Sequence, residues 1–221
     1  MKPTIVIMAK VPRAGNVKTR LQPFLSPEQC AELSEAFLED TINKARKVCD
    51  KVIIAFSPIR EREYFDKFAA KNLILVEQTG ENLGEKMFNA FDFAFKRDSD
   101  SVVMIGTDSP TFPVEFIEQA FNYLEKADVV LGKTKDGGFY LIGLQALRKN
   151  VFENVEWSST ETFAQTVRNI KEINLIHSLL PLWFDVDFPA DLKRLRKELM
   201  KNSHLAPKTF EWLKDNFRTA E

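Results

Sequence analysis

The chain has 221 residues, of which 44% are hydrophobic and 29% charged; this excludes a disordered chain, which lacks the apolar surface to offset chain entropy. Lys and Arg number 31 against 32 Asp and Glu, a net charge of -1, which excludes a general binder of nucleic-acid backbones but allows a local basic pocket for one small phosphate ligand. Only 8 residues are Gly, which removes collagen-like and Gly-rich low-complexity readings.

Thr4 to Ala9 is a continuous apolar run with β-branched residues, and it reads as a buried parallel strand. Lys10 to Pro23 is a polar loop. Ser26-Pro27-Glu28-Gln29 opens a helix as a capping box, with Pro at the first helical position. Leu33, Phe37, Thr41, Ala45 and Val48 line one face of that helix. Val52 to Phe56 predicts a second strand, and Ser57-Pro58 a helix running to about Ala70. Leu73 to Val76 is a third strand. Gln78 to Gly84 is a polar loop before a helix carrying Met87, Phe88, Phe91 and Phe95. Val102 to Ile105 is a fourth strand, ending in Gly106-Thr107-Asp108-Ser109-Pro110. A helix follows from Val114 to Leu124, then strands at Val129–Leu131 and Phe139–Leu144. Thr160 to Asn169 predicts a helix, and Ile173–Ile176 and Leu182–Phe184 two short strands. Pro189 to about Lys201 and the segment from Pro207 close the chain as helices.

Strands alternate with helices over the first 130 residues, so the expected fold is α/β: a Rossmann-like, mostly parallel sheet with helices on both faces. We expect one domain over residues 1–221, its C-terminal helices starting near 189. Cys30 and Cys49 form no C-x-x-C pair and read as reduced thiols. No apolar run approaches the ~18 residues of a membrane span. The expected location is cytoplasmic, with no nucleic-acid partner.

Ligands of such sheets sit at the carboxyl ends of strands, so the loops there are the candidates. The first puts Lys10, Arg13, Lys18 and Arg20 around Gly15. Gly15 permits a tight turn, Lys18 offers a point charge and Arg20 a fork for phosphate; a solvated basic loop has the same composition. It is not a P-loop, because Val17 rather than Gly precedes Lys18-Thr19. Asp108 leaves a buried strand and suits Mg2+ or Mn2+, which prefer carboxylate oxygens; it would serve equally as a turn acid before Pro110. Asp136-Gly137-Gly138-Phe139-Tyr140 holds either a general base or an ordinary Asp-Gly hairpin turn. Asp185-Val186-Asp187 before Pro189 spells D-x-D, or caps a helix. Trp157 is an acceptor wall or a core residue. His177 and His204 are isolated, so a Ser/His/Asp hydrolase is not indicated. Lys193, Arg194, Arg196, Lys197 and Lys201 read as a solvated helix face.

In order, K-x-P-x-x-G-x-V-K-T-R-L, Q-x-G-x-x-L-G-x-x-M, G-T-D-S-P, D-G-G-F-Y-L-I-G-L, W-S and D-V-D-x-P-x-D-L resemble the small glycosyltransferase A-fold proteins of arsenosugar-biosynthesis type, which are similar to nucleotide-diphospho-sugar transferases. The resemblance spans Thr4 to Leu192. It implies a nucleotide-binding sheet, Mg2+ or Mn2+ held by Asp108 and Asp187 with Asp185 beside them, and Lys18 and Arg20 on the phosphates. It places Gln78 and Gly84 near the nucleoside, and Asp136 and Gly137 toward the acceptor. We further expect Ala9, Lys10 and Gly15 at the nucleotide, and Gly138, Tyr140 and Trp157 at the acceptor. The implied activity is metal-dependent transfer from a nucleotide-sugar donor to a small acceptor, with Lys18 and Asp136 catalytic. Asn82 and Lys86 depart from that pattern, where an acid and an arginine are common.

Val17-Lys18-Thr19-Arg20-Leu21 and Leu25-Ser26-Pro27-Glu28 also resemble nucleotidyltransferases of the phospholactate guanylyltransferase type. That alternative releases pyrophosphate from a nucleoside triphosphate. A metal site is common to both. A second alternative is a non-catalytic nucleotide-binding protein.

Overall fold

The structure is a computed structural model that describes residues 2–22, 24–68 and 73–217. Its strands are β1 (Pro3–Lys10), β2 (Val52–Ser57), β3 (Leu73–Glu77), β4 (Ser101–Ile105), β5 (Val129–Thr134), β6 (Phe139–Leu144) and β7 (His177–Trp183). Its helices are α1 (Pro27–Val48), α2 (Leu83–Phe95), α3 (Val114–Leu124), α4 (Thr162–Glu172), α5 (Pro189–Leu199) and α6 (Pro207–Asn216). The strands form one sheet in the order β3-β2-β1-β4-β6-β5-β7. β6 is inserted antiparallel between β4 and β5, and the other pairings are parallel.

The apolar runs of β1 and β2 exist because both faces of the sheet are covered. Alternate residues Ile5, Ile7, Val52 and Ile54 face the helices α1 and α3, meeting Leu38, Ile42, Ile117 and Ala120. Val6, Ile53 and Ala55 face α2 and α4, meeting Met87, Phe91 and Ile170. A third cluster joins Leu21, Leu33 and Phe37 to Phe184 and Val186, and to Leu192, Leu195 and Leu199 of α5. It draws the 184–188 segment toward the first loop.

α1 begins with the expected capping box: Gln29 N donates to Ser26 Oγ, and Ser26 N to Gln29 Oε1. Asp40, buried on the same helix, accepts from Lys208 N (3.0 Å) and Thr209 N (2.8 Å) and so caps α6 from outside. Ala206, at the N-terminus of α6, offers no side-chain cap. Asp40→Ala strands two amides and is expected to cost ~1–3 kcal/mol. Asp40→Asn, which keeps an acceptor, should cost less; urea unfolding of both variants measures the difference.

Three expected elements differ. The helix from Ser57 to Ala70 is a 3-10 segment, Ile59–Phe68, with non-helical φ/ψ at Glu61; residues 69–72 lie outside the described residues. Glu61 turns inward to pair with Arg13, and Phe65 and Phe68 recur at the three-residue spacing of that helix type. The strands expected at Ile173–Ile176 and Leu182–Phe184 are replaced by the single β7. Residues 173–175 instead close α4. Asn174 takes φ +54°, and the amides of Ile173, Asn174 and Leu175 bond Asn169, Lys171 and Ile170. This is a left-handed helix stop, and its apolar flanks imitate a strand in the sequence.

Candidate active site

The carboxyl ends of β1 and β4 open into a cleft of about 500 Å³. After β1 the chain turns through Gly15 (φ +82°). It reaches Lys18, whose φ of 48° and ψ of 36° are left-handed, uncommon for a residue with a side chain. A short 3-10 turn over Thr19–Leu21 follows and plants Leu21 in the core. After β4, residues 106–112 meet the segment before α5. Val186 N donates to the Asp108 carbonyl (2.9 Å), and the Ser109 hydroxyl lies 3.0 Å from the Phe184 carbonyl and against the Asp185 carboxylate. These bonds hold Asp108 and Asp187 on one rim.

Lys18 Nζ bonds the Asp108 carboxylate and lies 3.2 Å from Asp187 Oδ1; Arg20 lies 3.7 Å from Asp187 Oδ2. Desolvation alone would pull the Lys18 ammonium down, but the two acids outweigh it and hold its pKa above the ordinary value. Desolvation would likewise lift the Asp108 carboxyl, and the Lys18 charge holds it below the usual range. Burial, followed by the charge on Asp108, pushes Asp185 up to about 7, against the Ser109 hydroxyl.

Ala9, Lys10, Lys18, Arg20, Gln78, Asp108, Tyr140 and Asp187 all line the cleft, with a floor of Met87, Met104 and Ile142. The Gln78 amide donates to the carbonyls of Ala9 (3.1 Å) and Ala55 (2.7 Å), which turns its own oxygen outward from them. The remaining candidates are not among the residues that line the cleft, and Gly15 and Asp136 are exposed. Asp136 Oδ1 accepts from Thr134 Oγ1 (2.5 Å) and Gly138 N (3.2 Å), closing the β5–β6 turn. Gly137, at φ +94°, lies where a Cβ would come within 2.1 Å of the Thr160 carbonyl. Trp157 packs between Phe139 and Phe152, and a Cβ at Gly84 would strike its indole at 2.5 Å. Asn82 caps α2 by accepting from Glu85 N.

Ser158, of the W-S segment, lines the cleft, and sequence reasoning missed Asn16 and Ser34 there. It also missed Lys44 of α1, buried beneath the loop that carries Asp108, where it donates to the Pro110 and Phe112 carbonyls. The signal was present: Lys44 interrupts the stripe of Thr41, Ala45 and Val48.

A protein from Methanocaldococcus sp. (strain FS406-22) is 28% identical over 190 residues, covering 84% of this chain and 78% of its own. It is named 2-phospho-L-lactate guanylyltransferase. A protein of the same name from Methanobrevibacter ruminantium is 21% identical over 197 residues, covering 85% and 83%. A solved structure from Desulfovibrio desulfuricans G20, assigned provisionally as a nucleotide-diphospho-sugar transferase, superposes with TM-score 0.91 at 30% identity. It covers 97% of this chain and 95% of its own. The α/β fold is thus that of the nucleotide-diphospho-sugar transferases. The expectation of glycosyl transfer from a nucleotide-sugar is overturned, because the curated relatives are guanylyltransferases. The two reactions share charged loops and an acid pair, so the motifs that suggested one fit the other. Residues 41–159 match a family profile described as an uncharacterized protein conserved in bacteria, DUF2064, and to that family this chain belongs.

Proposed function

We propose that this protein is a nucleotidyltransferase that transfers a nucleoside monophosphate from a nucleoside triphosphate to a small phosphorylated acceptor. The observation that carries the reading is the convergence of Lys18, Asp108 and Asp187 at the strand ends of the cleft. An acceptor phosphate oxygen attacks the α-phosphorus. The bond from that phosphorus to the bridging oxygen breaks, and pyrophosphate leaves with the electron pair. Lys10, Lys18 and Arg20 oppose the charge that accumulates on the leaving group. An acceptor that brings its own anionic oxygen needs no base, which leaves Asp136 to form its turn.

The rim fits a hard divalent ion, because its donors are two carboxylates around a position already taken by a cation. Asp108 and Asp187 would hold Mg2+ or Mn2+, which when bound adds positive charge against the triphosphate. The names of the curated relatives make guanosine triphosphate and 2-phospho-L-lactate the first donor and acceptor to test. Gln78 supports guanine: with its N–H groups spent on Ala9 and Ala55, it offers an acceptor, and guanine presents adjacent N–H donors. No helix among the described residues is long and apolar enough to cross a membrane.

Calorimetric binding of nucleoside triphosphates, diphosphates and nucleotide-sugars, with and without Mg2+, tests the reading. Guanosine triphosphate with metal should bind most tightly. A nucleotide-sugar that binds as tightly as any triphosphate would contradict it.

A further inference from the structure

Two observations on the same atoms carry an inference that rests on the nucleotidyl-transfer reading and goes beyond it. The first is the donor set. Among the described residues, no three His, Cys, Asp or Glu side chains gather as metal ligands. Asp108 and Asp187 supply one carboxylate each, while Asp185 is engaged by Ser109. One or two carboxylates suffice for Mg2+ only when water and substrate phosphates complete its shell.

The second observation is that these carboxylates already share a cation. The Lys18 side chain is only 6% exposed, although it stands in an open cleft. Its Nζ spans both acids and lies 5.5 Å from the centre of the Phe37 ring. Its backbone is fixed from the other side, where the Lys18 carbonyl accepts from Leu21 N (2.8 Å) and Cys30 Sγ (3.5 Å). A divalent ion placed between the acids would stand against this ammonium. Like charges at such separations repel strongly in a partly desolvated site.

We infer that Lys18 is the resident counter-cation of the Asp108–Asp187 pair, and that the divalent ion enters together with the nucleotide, whose phosphates draw the lysine off the acids. The free protein therefore binds metal weakly. Nucleotide and metal each raise the affinity for the other by the same factor, as linkage requires. Removing the lysine has opposite effects on its two partners: metal alone binds better and nucleotide binds worse. A lysine that merely supported the site would weaken both when removed.

Mn2+ titration followed by the paramagnetic resonance of the free ion separates these cases. Wild type, Lys18→Met and Asp108→Asn are titrated with and without guanosine triphosphate, corrected for the Mn2+–nucleotide complex measured without protein. Without nucleotide, Lys18→Met should bind Mn2+ at least ~tenfold more tightly than wild type. Wild type should gain at least that factor when nucleotide is added. Equal or weaker Mn2+ binding by Lys18→Met overturns the inference. The reaction class survives that result if wild type still binds Mn2+ with nucleotide and Asp108→Asn does not. Absence of Mn2+ binding by wild type under both conditions removes the inference and the metal-dependent reading together. Should Lys18→Met fail to fold, the two wild-type titrations decide: equal affinity with and without nucleotide overturns the inference.

Discussion

Replacement of Asp108 by Asn is expected to lower turnover by about 10²–10³-fold, the usual loss when one electrostatic contributor to a transition state is removed, with the fold intact. The backbone of residue 108 keeps its bond from Val186 N, and the side chain is 54% exposed, so the change opens no cavity. What disappears is a full negative charge that faces Lys18 and that would face the divalent ion in the proposed site. Turnover numbers at saturating donor, with circular dichroism to confirm folding, check the effect. Activity within threefold of wild type would remove Asp108 from the chemistry.

The second large effect is on stability and comes from Lys44. This residue lies in α1, stacked 4.0 Å from the Phe112 ring centre, with its ammonium on the carbonyls of Pro110 and Phe112. Burial lowers its pKa from the ordinary 10.5 to about 7, despite the raising influence of Asp40. Lys44→Met leaves two buried carbonyls without their donor, at a cost of ~1–3 kcal/mol each. The pH dependence has a definite sign. The unfolded chain holds the Lys44 proton up to about pH 10.5, and the folded chain only to about pH 7. Between those values the unfolded state binds more protons, so wild-type stability from this group rises with pH. The deficit of Lys44→Met should therefore be larger at pH 9 than at pH 6 in paired urea titrations. A deficit that is the same at pH 6 and pH 9 would show that Lys44 stays charged in the fold, because both states would then hold its proton over that range.

The central sheet was legible because its strands are covered on both faces: Ile5–Ala9, Val52–Phe56 and Val102–Ile105 leave no polar position to alternate with. The antiparallel insertion of β6 was not legible, since strand order depends on where a connection returns and not on local pattern. Asp108 stood out as an acid leaving a buried strand, and Lys18 as a cation beside a glycine turn. Their meeting with Asp187, 169 positions from Lys18, is a product of tertiary folding that no spacing encodes. The sequence leaves Trp157 as an acceptor wall or a core residue; the structure packs its indole against Gly84, where a side chain would leave it no room. Lys44 was hidden because a lysine on a helix ordinarily faces solvent.

The most direct test of nucleotidyl transfer is a phosphorus magnetic resonance time course of the wild-type protein with guanosine triphosphate, Mg2+ and 2-phospho-L-lactate. The expected result is one pyrophosphate released for each new phosphorus–oxygen–phosphorus linkage to the acceptor. Intact triphosphate, in the presence of protein shown to bind it, would contradict this activity for this donor and acceptor; release of inorganic phosphate alone would contradict attack at the α-phosphorus.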